Sequence, residues 1–205
     1  MSISIDNHVV VFDYGQVISL PPAQSEKDAL VAASGTEPDL FWEAYWRHRR
    51  ELDHGTLTPA GYWQVIADET GSSWSPTLRH TLWSLDFRSW LTLNPDTVTI
   101  VQALHEGNTP LALLSNAGAD FGSFFRHGSL GSLFHRVFVS GELGLTKPDP
   151  AIFTHVLNEL GVSADQAIFV DDIEANVQSA ESLGINGHVF TSADALRAYL
   201  GSFSS

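Results

Sequence analysis

The chain has 205 residues, 43% of them hydrophobic and 17% charged, and it contains no cysteine. That composition supports one good core with room for a small inserted module, and it excludes disorder, disulfides, thiolate chemistry and Cys-ligated zinc. Against 24 Asp and Glu stand 10 Lys and Arg, a formal charge of -14, which repels nucleic acid and anionic membranes and suits a hard divalent cation with oxygen ligands.

The first residues, MSISIDNHVVVF, lack the basic region and small-residue cleavage site of a signal peptide, and no run of about 18 apolar residues occurs. A soluble, cytoplasmic protein with no membrane or nucleic-acid partner is predicted. The first strand is expected at 8–13 (HVVVFD), the next at 111–115 (LALLS), 136–140 (RVFVS), 167–171 (AIFVD) and 187–190 (GHVF). Each is short, apolar and rich in β-branched or aromatic residues, as buried parallel strands are. Between the later ones lie helical patterns. Asp149 and Pro150 open one that carries Phe153, Val156, Leu157 and Leu160 on one face and stops at Gly161; a second places Val177, Ala180 and Leu183 on one face before Gly184. The closing GSFSS is expected to fray.

From about Ser19 to Leu93 the strand runs disappear, and DLFWEAYWRHRREL, GYWQVIADE and TLRHTLWSL replace them. These are aromatic, helix-compatible segments. The expected architecture is an α/β, doubly wound, Rossmann-like parallel sheet made from residues 1–19 and 94–205, with residues 20–93 inserted as a helical cap. Pro21 and Pro22 on one side, Asn94 and Pro95 on the other, are candidate hinges. A cap placed directly after the first strand overhangs the edge where such sheets bind ligands.

Polar residues at the strand ends carry the candidate chemistry. Asp13 ends the first strand in VVVFDYGQVIS and serves either a turn or a reaction. Ser115 ends the second in LALLSNAG, where an N-cap is the alternative. Lys147, in GLTKPDPAIF, precedes a helix amino terminus, a position unfavourable to a cation unless an anion is near. Asp171 and Asp172 are adjacent at the end of the fourth strand and repel each other unless a cation or hydrogen-bond donors offset their charge. A parallel sheet gathers all of these at one edge.

In that order, and through KPDPAIF and FVDDIEANVQSAESLGI, the chain resembles the haloacid dehalogenase-like hydrolase superfamily over nearly its whole length. Those two stretches look particularly like the phosphatase domain of soluble epoxide hydrolases and like bacterial α-glucose-1-phosphate phosphatases. The resemblance implies a Mg²⁺-dependent phosphatase acting on a small phosphorylated metabolite through an aspartyl phosphate. It makes Asp13 the nucleophile, Ser115 and Lys147 the holders of the phosphoryl group, and Asp13, Asp172 and the Gly15 carbonyl the metal ligands. Asp171 and Asn176 become supporting neighbours, and Asn116 a substrate-binding residue.

One departure carries consequences. The family's phosphatases have a second Asp, a general acid and base, where this chain has Gly15 in DYGQV. General acid–base help is worth roughly 10² to 10⁴ in rate, so good leaving groups such as anomeric sugar, acyl or aryl phosphates are favoured. Gln16, a water chain or a cap residue are the candidates to substitute. In the cap, a helix over 41–52 places Trp42, Tyr45, Trp46, His48 and Arg49 on one broad face, and Glu43, Arg47, Arg50 and Glu51 on the other. Arg49 then either binds an anion or a sugar in the pocket or extends to water while the aromatics form cap core. The nine histidines show no metal-binding spacing.

Two other functions compete. A metal-free 2-haloacid dehalogenase needs no leaving-group acid and shares the Ser115–Asn116 pair, but the acidic doublet argues against it. A phosphometabolite-binding or regulatory module is the non-catalytic alternative, and Gly15 is the feature that favours it.

Overall fold

A computed structural model describes residues 2–204. β1 (Val9–Phe12) is followed by four helices, α1 (Gln24–Ser34), α2 (Pro38–His54), α3 (Pro59–Glu69) and α4 (Pro76–Ser89). The chain then alternates: α5 (Pro95–Glu106), β2 (Leu111–Ser115), α6 (Phe121–His127), β3 (Arg136–Val139), α7 (Ser140–Leu143), α8 (Pro150–Leu160), β4 (Ala167–Asp171), α9 (Glu174–Glu181), β5 (Asn186–Val189) and α10 (Ala193–Gly201). The five strands form one parallel sheet in the order β3-β2-β1-β4-β5. The order reverses at β1, so a crevice opens beyond the carboxyl ends of β1 and its neighbours.

The strands are apolar throughout because both faces are covered. Val10, Phe12, Leu111, Leu113, Ile168 and Val170 enter one core, with α5 and α10 residues. Val9, Val11, Ala112, Leu114, Ala167 and Phe169 enter the other, with α8 and α9 residues. The expected strands all occur, with ends shifted by a residue or so; Ser140, read as strand, opens α7 instead. Asn94, read as a hinge, caps α5 by accepting from the Asp96 and Thr97 N–H groups. Of the tail expected to fray, Phe203 packs partly buried against the core and meets Tyr199 edge-on at 5.4 Å between ring centroids, while Ser202 and Ser204 are exposed. Ser205 lies outside the described residues.

The helices α1 to α4 have a core of their own, built on Leu30, Phe41, Tyr45, Tyr62, Trp63 and Leu82. α1 is an element the aromatic pattern did not single out, since it buries only Leu30 and Ser34. The single aromatic face expected on α2 divides. Tyr45 turns into the helical core at 2% exposure, Trp46 stays 58% exposed, and His48 reaches Glu51 and Glu69. Arg47 is a surface cation paired with Glu43 and Glu69.

The chain enters and leaves this helical unit as an antiparallel pair. Leu20 N–H donates to Thr92 and Asn94 N–H to Ile18, around a Ser19–Leu93 bridge. At its other end α2 meets the sheet domain through a close backbone approach. Gly55 has φ 82°, and a Cβ there would come within 2.3 Å of the Gly141 carbonyl, so only glycine fits. Ser140 Oγ also donates to the Asp53 carbonyl. These contacts hold the C-terminal turns of α2 over the carboxyl edge of the sheet.

Candidate active site

Asp13 lies one residue beyond β1, where its N–H donates to the Val170 carbonyl at 2.8 Å. Lys147 rises from the loop before α8 with its side chain only 1% exposed. Its Nζ donates to Asp13 Oδ1 at 2.7 Å, Asp171 Oδ2 at 2.7 Å and the Leu114 carbonyl at 3.0 Å. All three ammonium protons are thereby used within the sheet edge. Burial by itself favours the neutral amine, but Asp13 and Asp171 outweigh it and hold Lys147 charged. Burial likewise pushes the Asp13 carboxyl up to about 7, with Lys147 opposing and Asp171 adding to the rise.

Asp171 and Asp172 have different surroundings despite their adjacency. Asp171 is fully buried. Its Oδ1 accepts from Ile173 N–H at 2.8 Å, and Asn176 Nδ2 reaches both its oxygens at 3.0 and 3.1 Å. Asp172 is partly open, and Gln16 Nε2 donates to its Oδ2 at 3.0 Å. Burial and the Asp171 charge raise its carboxyl above the usual range. One carboxylate oxygen from each of Asp13, Asp171 and Asp172 lies within 4.8 Å of the others. Three carboxylates around one ammonium leave two formal negative charges uncompensated, and an all-oxygen donor set of that charge fits a hard divalent cation. Gln16, considered only for proton transfer, is thus a neighbour of this acidic group, reached through a backbone with φ 58°.

Ser115 ends β2, is buried to 4% exposure and lines the same cavity. It caps no helix, because α6 begins only at Phe121 and has Asp120 at its cap position. Asn116, expected to bind substrate, lines the cavity as well, and its amide also holds the Lys147 backbone: its Oδ1 accepts from the Lys147 N–H at 2.9 Å and its Nδ2 donates to the Lys147 carbonyl at 2.8 Å. Gly15 needs no special backbone conformation. A Cβ there would stand 3.7 Å from Trp90 Cζ3 and 3.9 Å from Asp13 Oδ2, which is ordinary contact.

Above these groups is a cavity of about 240 Å³. Asp13, Ser115, Lys147 and Asp172 line it from the sheet side, and Trp46, Arg49 and Asp53 from α2. Arg49 lines this cavity with its charge already paired. Its Nε donates to Asp53 Oδ1 at 3.0 Å and its Nη1 to Tyr45 Oη at 2.7 Å, with Asp86 Oδ2 at 3.6 Å. Tyr45 in turn donates to Asp86 at 2.7 Å. Asp53 carries a readable signal, four residues after Arg49 on one helix. Asp86 and Trp90 carry none, since only the tertiary placement of α4, packed on α1 and α3, brings them here.

A family model for haloacid dehalogenase-like hydrolases matches residues 22–184. The chain belongs to that family. The haloacid dehalogenase-like fold is also seen in an enzyme of Bacteroides thetaiotaomicron solved with magnesium and inorganic phosphate, which is 20% identical, covers 90% of this chain and 94% of its own, and superposes with a TM-score of 0.74. Among curated relatives, the glyceraldehyde 3-phosphate phosphatase of Methanopyrus kandleri is 26% identical over 160 residues, 74% of this chain and 68% of that protein. Drimenol cyclase drtB of Aspergillus calidoustus is 39% identical over 69 residues, 34% of this chain; the chain spans only 13% of the cyclase. Among the described residues, no helix is long and apolar enough to cross a membrane.

Proposed function

We propose that this haloacid dehalogenase-like hydrolase is a phosphatase of small phosphorylated metabolites, sugar phosphates among them, and that the helical unit of residues 20–93 is its cap. The observation that carries the reading is Asp13. Its carboxylate lies at the carboxyl edge of the central strand and opens on the cavity, 2.7 Å from an ammonium that can neutralise a transferring phosphoryl group.

In the proposed reaction an Asp13 carboxylate oxygen attacks phosphorus in line with the departing ester oxygen. The P–O bond to the leaving group breaks, the leaving oxygen carries off the electron pair, and it takes a proton from solvent. Water then attacks the aspartyl phosphate, the bond from phosphorus to the Asp13 oxygen breaks, and inorganic phosphate leaves. Lys147 offsets the charge of the non-bridging oxygens, while the Ser115 hydroxyl orients the group by a hydrogen bond. Mg²⁺ would be held by Asp13, Asp172 and the Gly15 carbonyl, and when bound supplies charge neutralisation at the phosphoryl oxygens. Asp171 and Asn176 keep Lys147 and the acidic doublet in place.

The test is phosphate release from 4-nitrophenyl phosphate and from a panel of sugar, acyl and nucleotide phosphates with Mg²⁺, using Asp13→Asn as the blank. Release that EDTA abolishes and Mg²⁺ restores is expected. EDTA-insensitive halide release from a 2-haloacid would replace the reading with dehalogenation, and Mg²⁺-dependent binding without any release would replace it with a binding module.

A further inference from the structure

The cavity wall opposite the nucleophile is poor in free positive charge. Lys147 is paired with Asp13 and Asp171 at the floor, where on the phosphatase reading it serves the phosphoryl group being transferred. Arg49, the cation that α2 brings to the cavity, sits between the carboxylates of Asp53 and Asp86, with its side chain only 12% exposed. Its planar faces are used as well, with the guanidinium carbon 5.7 Å from the Tyr45 ring centroid and 5.9 Å from that of Trp90. The group around Arg49 therefore carries one net negative formal charge. The adjoining groove contributes Lys27, but with Glu26 and Asp86 on its wall.

Apolar surface is what the wall offers instead. Trp46 and Ile173 are 58% and 52% exposed, the two most exposed large hydrophobic side chains among the described residues, and both line this cavity. Large hydrophobic groups left open beside a polar reaction centre mark a surface that a ligand covers.

We infer that, on the phosphatase reading above, the leaving group accepted here is uncharged and lays an apolar or flat face on Trp46 and Ile173, whereas esters with a second anionic group are rejected. The rejection has a definite cause: a second carboxylate or phosphate would lose its hydration against Asp53 and Asp86, where Arg49 is already paired with both and the next cation, Lys27, lines the adjoining groove beside Glu26. An aryl ring, the apolar face of a sugar and a prenyl chain share the accepted chemistry.

A matched pair of esters tests this. The 4-carbamoylphenyl and 4-carboxyphenyl phosphates have nearly the same shape, and differ in the second negative charge. With the Mg²⁺-supplemented enzyme, kcat/KM for the carbamoyl ester is expected to exceed that for the carboxylate by about tenfold or more at low ionic strength. Asp53→Asn, which removes one of the opposing charges, narrows that ratio; Trp46→Ala raises KM for the carbamoyl ester about fivefold while leaving inhibition by inorganic phosphate within about twofold. α-Glucose 1-phosphate and dimethylallyl phosphate, run alongside, show which neutral group fits best. Equal or reversed turnover of the matched pair overturns the inference and leaves the phosphatase reading standing. An unchanged KM in Trp46→Ala removes the apolar contact. No Mg²⁺-dependent release from any of the four esters overturns both.

Discussion

The side-chain amide of Asn116 grips the backbone of Lys147 from both sides, accepting from its N–H at 2.9 Å and donating to its carbonyl at 2.8 Å. The residue after β2 thus fixes where the loop before α8 crosses the sheet edge, and with it the position of the buried ammonium beside Asp13. Asn116→Ala removes both bonds. It is expected to cost about 1–3 kcal/mol of stability and to lower kcat about 10- to 100-fold through a displaced Lys147. Chemical denaturation and steady-state kinetics on one preparation check this; full kcat in a destabilised variant would show that the clasp serves folding alone.

Asp13→Asn is expected to abolish phosphate release while preserving the fold. Burial already pushes the Asp13 carboxyl up to about 7, so a neutral amide of the same shape removes a desolvation cost, and Lys147 retains Asp171. Circular dichroism and a phosphate assay separate the two effects. Lys147→Met is expected to behave differently, because it strands two buried carboxylates; breaking such a pair costs about 3–5 kcal/mol.

Gly15→Asp should fold, since its Cβ meets Trp90 and Asp13 only at ordinary contact distances. The added carboxyl supplies a proton donor near the nucleophile. Turnover of alkyl phosphates is expected to rise more than turnover of 4-nitrophenyl phosphate, by up to about 10²-fold for the poorer leaving groups. An equal change on both substrates would show that proton transfer is not what glycine at this position costs.

His48 gives the helical unit a pH-dependent tie. It lies 2.8 Å from Glu51 on its own helix and 2.7 Å from Glu69 on α3, and Arg47 also pairs with Glu69. The hydrogen bond to Glu51 leads in raising its pKa above 6.5, against a smaller opposing effect of burial. The folded state therefore holds this proton more tightly than the unfolded chain. Its stabilisation is complete below about pH 6.5 and is lost as pH rises through the raised folded value. Thermal melts of wild type and His48→Gln across pH are expected to differ most at mildly acidic pH and to converge in alkaline buffer; a constant difference would remove His48 as the titrating group.

Local pattern determined the sheet and its chemical edge. Short apolar runs ending in Asp13, Ser115 and Asp171 can only be buried parallel strands when helical segments separate them, and parallel strands place their carboxyl ends together. Tertiary structure alone decided which polar groups remain available to a ligand. Nothing near Asn116 in sequence says that its amide closes on Lys147, 31 residues away. Nothing near Arg49 says that Asp86, from a different helix, takes part of its charge. Periodicity reports which side of a helix is apolar; it carries no information about which neighbouring helix answers that side. The availability of a charge depends on such answers, because desolvation and pairing are set by whatever the fold brings within a few ångströms.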